Sequence, residues 1–187
     1  GEMLQMDGSE HDWFEGRRVR AVLMVLIDDA TNHTSARFYE SETTAAAFVL
    51  FGRYVRQHGL PRTLYVDRDS IYRTTRDATA EESLEETGPE TQFSRAMRQL
   101  GVRLICARSP QAKGRVERRH GVFQDRLVKE LRLAGISDLE GANVFLEEHF
   151  LPELNRRFTV ASARSSNLHR RVPRGLHLDD VLSFEGP

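Results

Sequence analysis

"VRAVLMVLID", residues 19–28, decides the fold. Seven of its positions, Ala21 to Ile27, are apolar without a break, and Arg20 and Asp28 bound the run. Strict alternation would mark a strand with one wet face. A short continuous apolar run between polar residues marks a strand buried on both faces. Such a strand needs cover from both sides, so the chain is read as a sheet with helices on each face.

The flanks extend this reading. "GEMLQMDG" (1–8) reads as a short first strand, and "TSARFYE" (34–40) follows the turn-like "DDATNH" as a third. Residues 1–40 therefore predict an antiparallel meander. The period then changes: Ala47, Leu50, Phe51, Tyr54 and Val55 recur at three and four, as one helix face does. Gly59 closes that helix and Pro61 blocks its continuation. "RTLYVD" (62–67) is a strand ending on an aspartate, "TQFSRAMRQLG" (91–101) a helix with a glycine stop, and "VRLICA" (102–107) the next strand. In "SPQAKGRVERRHGVFQDRLVKEL" (109–131), Val116, Phe123, Leu127 and Leu131 form one apolar stripe. Glu117 lies at its border, near the helix start. "SDLEGANVFLEEHF" (137–150) opens a further helix, with Ser137 and Glu140 as its capping box. The order β-β-β-α-β-α-β-α-α predicts a mixed sheet, with the fourth strand parallel to the first. The core is assigned to residues 1–133, with 73–90 as an acidic flexible insert. Residues 134–187 form a helical extension and an irregular tail.

Composition narrows the function. The chain has 187 residues and net charge −1, with 39% hydrophobic and 29% charged residues, an ordinary balance for a water-exposed domain. One cysteine, Cys106, excludes a disulfide framework and is read as a core residue. Seven scattered histidines give no zinc spacing. No run of 18 apolar residues predicts a membrane span and no signal peptide opens the chain, which suggests a cytoplasmic protein with no membrane partner. The near-zero net charge hides segregation. Asp77 to Glu90 carries six acids and no bases; Arg103 to Arg132 carries nine bases against three acids; Glu153 to Arg174 carries six bases against one acid. The two basic segments could make a polyanion-binding face.

In the expected topology Asp7 near the end of the first strand and Asp67 at the end of the fourth approach each other, and the helix after the fifth strand can bring Glu117 alongside. Three converging carboxylates repel unless a cation intervenes. Hard oxygen donors suit Mg²⁺ or Mn²⁺. Asp12 and Asp69 are secondary candidates, while Asp28 and Asp29 read as turn residues. Asn32-His33-Thr34 matches a glycosylation sequon by chance.

"MDG" (6–8), "YVDRDSIY" (65–72) and "SPQAKGRVERRHGVFQDRLVKEL" resemble the three signature blocks of the DDE integrase/transposase catalytic core, the retroviral-integrase-like family. The chain looks most like bacterial insertion-sequence transposases of the ISNCY type, over residues 1 to about 133, and the tail "HRRVPRGLHLDDVLSF" fits too. The resemblance implies a ribonuclease H-like α/β fold, a five-stranded mixed sheet with three antiparallel strands and then two parallel ones. By it Asp7, Asp67 and Glu117 match the catalytic, metal-holding acids, with Mg²⁺ or Mn²⁺ and two ions expected. Tyr72, five residues after Asp67, favours Asp67 over Asp69 as the second acid. Lys113, Arg115, Arg118, Arg119 and His120 would contact DNA around the scissile bond; His120 reads equally as a surface residue. The implied activity is metal-dependent DNA end cleavage and strand transfer by 3′-hydroxyl attack. The implied partners are transposon ends, target DNA and further copies of the chain, in a bacterial, nucleoid-associated setting. The alternatives are another ribonuclease H-like nuclease, or an inactive DNA-binding or assembly module.

Two departures stand out. Between Asp67 and Glu117 lie 49 residues, the excess being the acidic insert. Where relatives often carry a base two turns after the glutamate, this chain has Gln124, so Arg126 or Arg118 is expected to supply that contact. The first strand begins within a few residues of Gly1, so the chain reads as a fragment without an end-recognising element, expected to bind DNA weakly and with little sequence preference.

Overall fold

The computed structural model describes residues 1–17, 20–67, 69–74, 90–107, 114–163 and 166–186. The acidic insert, apart from its edges, and the loop 108–113 lie outside the described residues. Five strands form one sheet in the order β3-β2-β1-β4-β5. They are β1 (Met3–His11), β2 (Ala21–Asp28), β3 (Thr34–Tyr39), β4 (Thr63–Val66) and β5 (Arg103–Cys106). The first three pair antiparallel; β1–β4 and β4–β5 pair parallel. This is the ribonuclease H-like arrangement expected from the sequence.

Every residue of β2 is buried, and its side chains divide between two cores. Val22, Met24 and Leu26 face α1 (Thr44–His58) and α2 (Gln92–Gln99) in one apolar cluster. Ala21, Leu23, Val25 and Ile27 face the other, built from the helices after β5. Those are α3 (Gly114–Val122), a π-helical turn Phe123–Leu127, α4 (Val128–Leu133), α5 (Leu139–Phe145), a second π-helical turn Leu146–Phe150, and α6 (Leu151–Phe158). Val116, Phe123, Leu127 and Leu131, the stripe read from the sequence, are all fully buried there.

Several details differ from the sequence reading. Strand β1 is nine residues long rather than short. It outlasts β4, so Asp7 lies mid-strand on β2's side and beyond the last β4 pairing on the other. The helix after residue 137 is capped by Asp138, whose Oδ1 accepts from Gly141 N at 2.7 Å, and not by Ser137. Asp138 takes the role because its backbone is extended where the helix begins. Ala142, Leu146, Phe150 and Leu154, after residue 133, share the cluster that holds Val116 and Phe123. The tail is irregular but strapped down. Leu60 and Arg170 exchange two backbone hydrogen bonds. Val181, in the short α7 (Leu178–Val181), enters the first core.

Candidate active site at the end of the parallel seam

The seam between β1 and β4 positions the two aspartates. The ladder pairs Met3 with Thr63, Leu4 with Leu64 and Gln5 with Tyr65. Two residues further in the same register, Asp7 comes level with Asp67. Alternation settles the face as well. Leu4, Met6, Leu64 and Val66 point into the first core, so Asp7 within β1 points to the other side, the side covered by α3, and Asp67 follows directly after β4.

Helix α3 docks there. Val116 seats it in the second core, and His120, 8% exposed, places Nε2 3.3 Å from Asp7 Oδ2. One turn of helix further, Gln124 Nε2 donates to Ser9 Oγ at 3.3 Å. Glu117 is exposed, in the first turn of α3. It stands three residues before His120, so the two Cβ atoms are about 5–6 Å apart on one helix face. Among the described residues, no group of three or more His, Cys, Asp or Glu side chains is arranged as it stands to hold a metal ion.

The loop after β4 is shaped by its own acids. Asp67 Oδ1 accepts from Asp69 N at 2.9 Å, and Asp69 Oδ1 accepts from Ile71 N at 3.0 Å and from the Ser70 hydroxyl at 3.2 Å. Asp69 is thereby occupied in turning the chain. The turn buries Tyr72 to 2% exposure, and its hydroxyl donates to Glu42 Oε1 at 3.2 Å. Asp12 accepts from Gly16 N at 2.9 Å in another turn.

Glu42 is the residue that sequence reading missed. It sits just before Thr43, the N-cap of α1, and folds over Gly8 on the opposite face from Asp7. A Cβ built on Gly8 would run into the Glu42 carboxylate. Burial pushes the Glu42 carboxyl up to about 7, with Asp67, Asp7 and Asp69 adding to the rise and the Tyr72 hydroxyl opposing it. Gly8 was the available signal, because a glycine inside a strand marks a close approach. Nothing in the sequence says what approaches.

The basic residues divide. Arg118 is exposed beside Glu117. Arg119 is buried: its guanidinium lies 4.9 Å from the Phe158 ring centroid, and Nη2 reaches Asn32 O at 3.5 Å. Burial lowers its pKa from the ordinary arginine value. Arg126 faces α6, with Nη2 3.2 Å from Glu130 and 3.5 Å from Glu153, and its guanidinium 5.7 Å from the Phe150 ring centroid. Lys113 lies outside the described residues. Arg115 is in the first turn of α3 by its backbone.

The chain is 43% identical over 172 residues to y4bF of Sinorhizobium fredii, a protein named as a transposase, covering 91% of this chain and 36% of that one. It is 36% identical over 159 residues to the transposase for insertion sequence IS1202 of Streptococcus pneumoniae, covering 84% of this chain and 33% of that one. The chain is thus similar in sequence to part of two transposases and in fold to an integrase catalytic core. It spans about a third of the length of either transposase. No protein-family model matches the chain.

Solved structures agree on the fold. The simian T-cell lymphotropic virus intasome, in complex with a PP2A regulatory subunit, aligns at TM-score 0.60 and 17% identity, over 94% of this chain and 58% of that one. The HTLV-2 integrase catalytic core domain in complex with magnesium, in its trimeric form, aligns at TM-score 0.55 and 16% identity, over 78% of this chain and 83% of that one. No described helix is long and apolar enough to cross a membrane.

Proposed function

We propose that this core cuts a DNA end by metal-dependent phosphodiester hydrolysis and then joins the freed 3′ hydroxyl to target DNA. The observation that supports the reading is the register of the parallel seam, which, carried two residues past its last pair, would put Asp7 level with Asp67, while His120 sets the helix that bears Glu117 against Asp7. The donor chemistry fits a hard divalent cation. Burial pushes the nearby Glu42 up to about 7, and Asp67, Asp7 and Asp69 add to the rise; a bound Mg²⁺ or Mn²⁺ would relieve that added repulsion. Asp7, Asp67 and Glu117 would hold the metal, with two ions expected. Such ions supply an activated attacking oxygen and stabilise the leaving one.

Arg118, exposed next to Glu117, is the described base best placed for a DNA phosphate, and Lys113 and Arg115 join it in this reading. His120 and Arg119, both buried, are assigned instead to seating the helix. The partners in this reading are transposon ends, target DNA and further copies of the chain, in the cytoplasm of a bacterium. The test is a cleavage and strand-transfer assay with the full-length protein and the DNA ends flanking its gene. Mg²⁺-dependent joining that is absent in Asp67→Asn is expected. Joining retained by that variant would overturn the site assignment, and hydrolysis without joining would favour a nuclease.

A further inference from the structure

We infer that His120 is a positioning residue for the metal-holding acids: its Nε2–H fixes Asp7 and, through the helix, sets where Glu117 stands against it. This rests on the proposed role of those acids.

His120 is 8% exposed, and neither ring nitrogen makes a hydrogen bond as placed. Leaving a buried polar group unpaired costs about 1–3 kcal/mol. An apolar residue would fill the same space in α3 without that cost, because Val116 and Phe123 already seat the helix in the core. The acceptor within reach is Asp7 Oδ2, 3.3 Å from Nε2 but off the hydrogen-bond direction. A small rotation of either side chain aligns the pair. With Oδ2 held, the plane of the Asp7 carboxylate is fixed, and so is the direction in which its other oxygen points. The same contact pins α3 to β1 one turn from Glu117. It stands between two other tethers of the helix, Arg119 on Phe158 and Gln124 on Ser9. Those two hold the helix to the scaffold; His120 alone of the three touches a proposed metal ligand. Outer partners of metal-holding carboxylates typically contribute 10–100-fold in affinity.

The test is Mn²⁺ binding to this chain, followed by electron paramagnetic resonance, in wild type, Asp7→Asn, His120→Leu and His120→Gln. Glutamine can return an N–H donor near the position of Nε2; leucine cannot. Wild type should bind Mn²⁺ and Asp7→Asn should not. His120→Leu should bind about tenfold more weakly or worse, and His120→Gln should recover most of the loss. Wild-type affinity in His120→Leu, or equal losses in both His120 variants, would overturn the inference while leaving the proposed function standing. Equal Mn²⁺ affinity in wild type and Asp7→Asn would overturn both. A second readout needs no variant of His120. In ¹⁵N-labelled wild-type protein, Nε2 should carry the proton, and its resonance should move on adding Mg²⁺ but stay still in Asp7→Asn. A ring protonated on Nδ1 alone would overturn the inference, and this measurement decides the matter if His120→Leu does not fold.

Discussion

Asp28 is a buried acid and Glu42 a half-buried one, beside Leu4 and Gly8 towards opposite ends of β1, and their surroundings push them in opposite directions. At Asp28 burial pushes the carboxyl up, but the chain's amino terminus and the N–H groups of Ala30 and Thr31 outweigh it and hold the group below the usual range. At Glu42 burial also pushes up, and Asp67, Asp7 and Asp69 push the same way against one tyrosine hydroxyl. The first acid closes the turn between β2 and β3. The second is crowded by other carboxylates, as a fold does where charge is to be met by something it does not itself supply.

Experiments on the two ends can break this contrast. Asp67→Asn should leave the fold intact by circular dichroism and lower Mg²⁺-dependent DNA cleavage by roughly 10³-fold or more, several kcal/mol of lost charge stabilisation. Glu42→Gln acts on stability instead. The native acid holds its proton up to about pH 7, whereas the unfolded one releases it near 4.5. Native stability therefore falls as pH rises through that window in the metal-free protein. The glutamine variant should escape the fall and be more stable than wild type at pH 8 by about 2–3 kcal/mol, with the difference gone at pH 4 in urea melts. A variant no more stable at pH 8 would remove the crowding argument. Gly8→Ala should displace the Glu42 side chain and flatten the same pH dependence.

Asp28→Asn should do the reverse. The folded carboxyl titrates below its ordinary value, so its contribution is present at neutral pH and lost as pH falls. The variant should be destabilised by about 1–2 kcal/mol at pH 7 and indistinguishable from wild type in acid. The smallest effect is expected from Arg118→Ala. DNA affinity should drop a few-fold and the slope of log affinity against log salt should shrink by about one unit, the signature of one phosphate contact.

The sequence carried the sheet order because it follows from short-range patterns. The apolar run of β2 predicts cover on both faces, and the helix between β3 and β4 permits the parallel pairing of β4 with β1. Glu42 was invisible for the opposite reason. It is 35 residues from Asp7 in the chain, it has no motif, and it reaches the site only once α1 folds across β1. The basic run around Glu117 misled in a different way. Its residues looked like one DNA-facing surface, but a helix turns about 100° per residue. Neighbouring Arg118 and Arg119 therefore part, one into solvent and the other onto Phe158. That ring comes from α6, whose place could not be read from the helix α3 itself.

The π-helical turn at Phe123–Leu127 deserves a last consequence. Its i→i+5 bonding accommodates one more residue than an ordinary turn, between the part of the helix that carries Glu117 and His120 and the part anchored by Leu127 and Leu131. That extra residue is already absorbed, so inserting a second one there would let the leucines stay seated while swinging the upstream segment by about 100°, carrying Glu117 and His120 off the strand. The alignment is thus stored as a residue count, and this stretch should tolerate changes of side chain far better than changes of length.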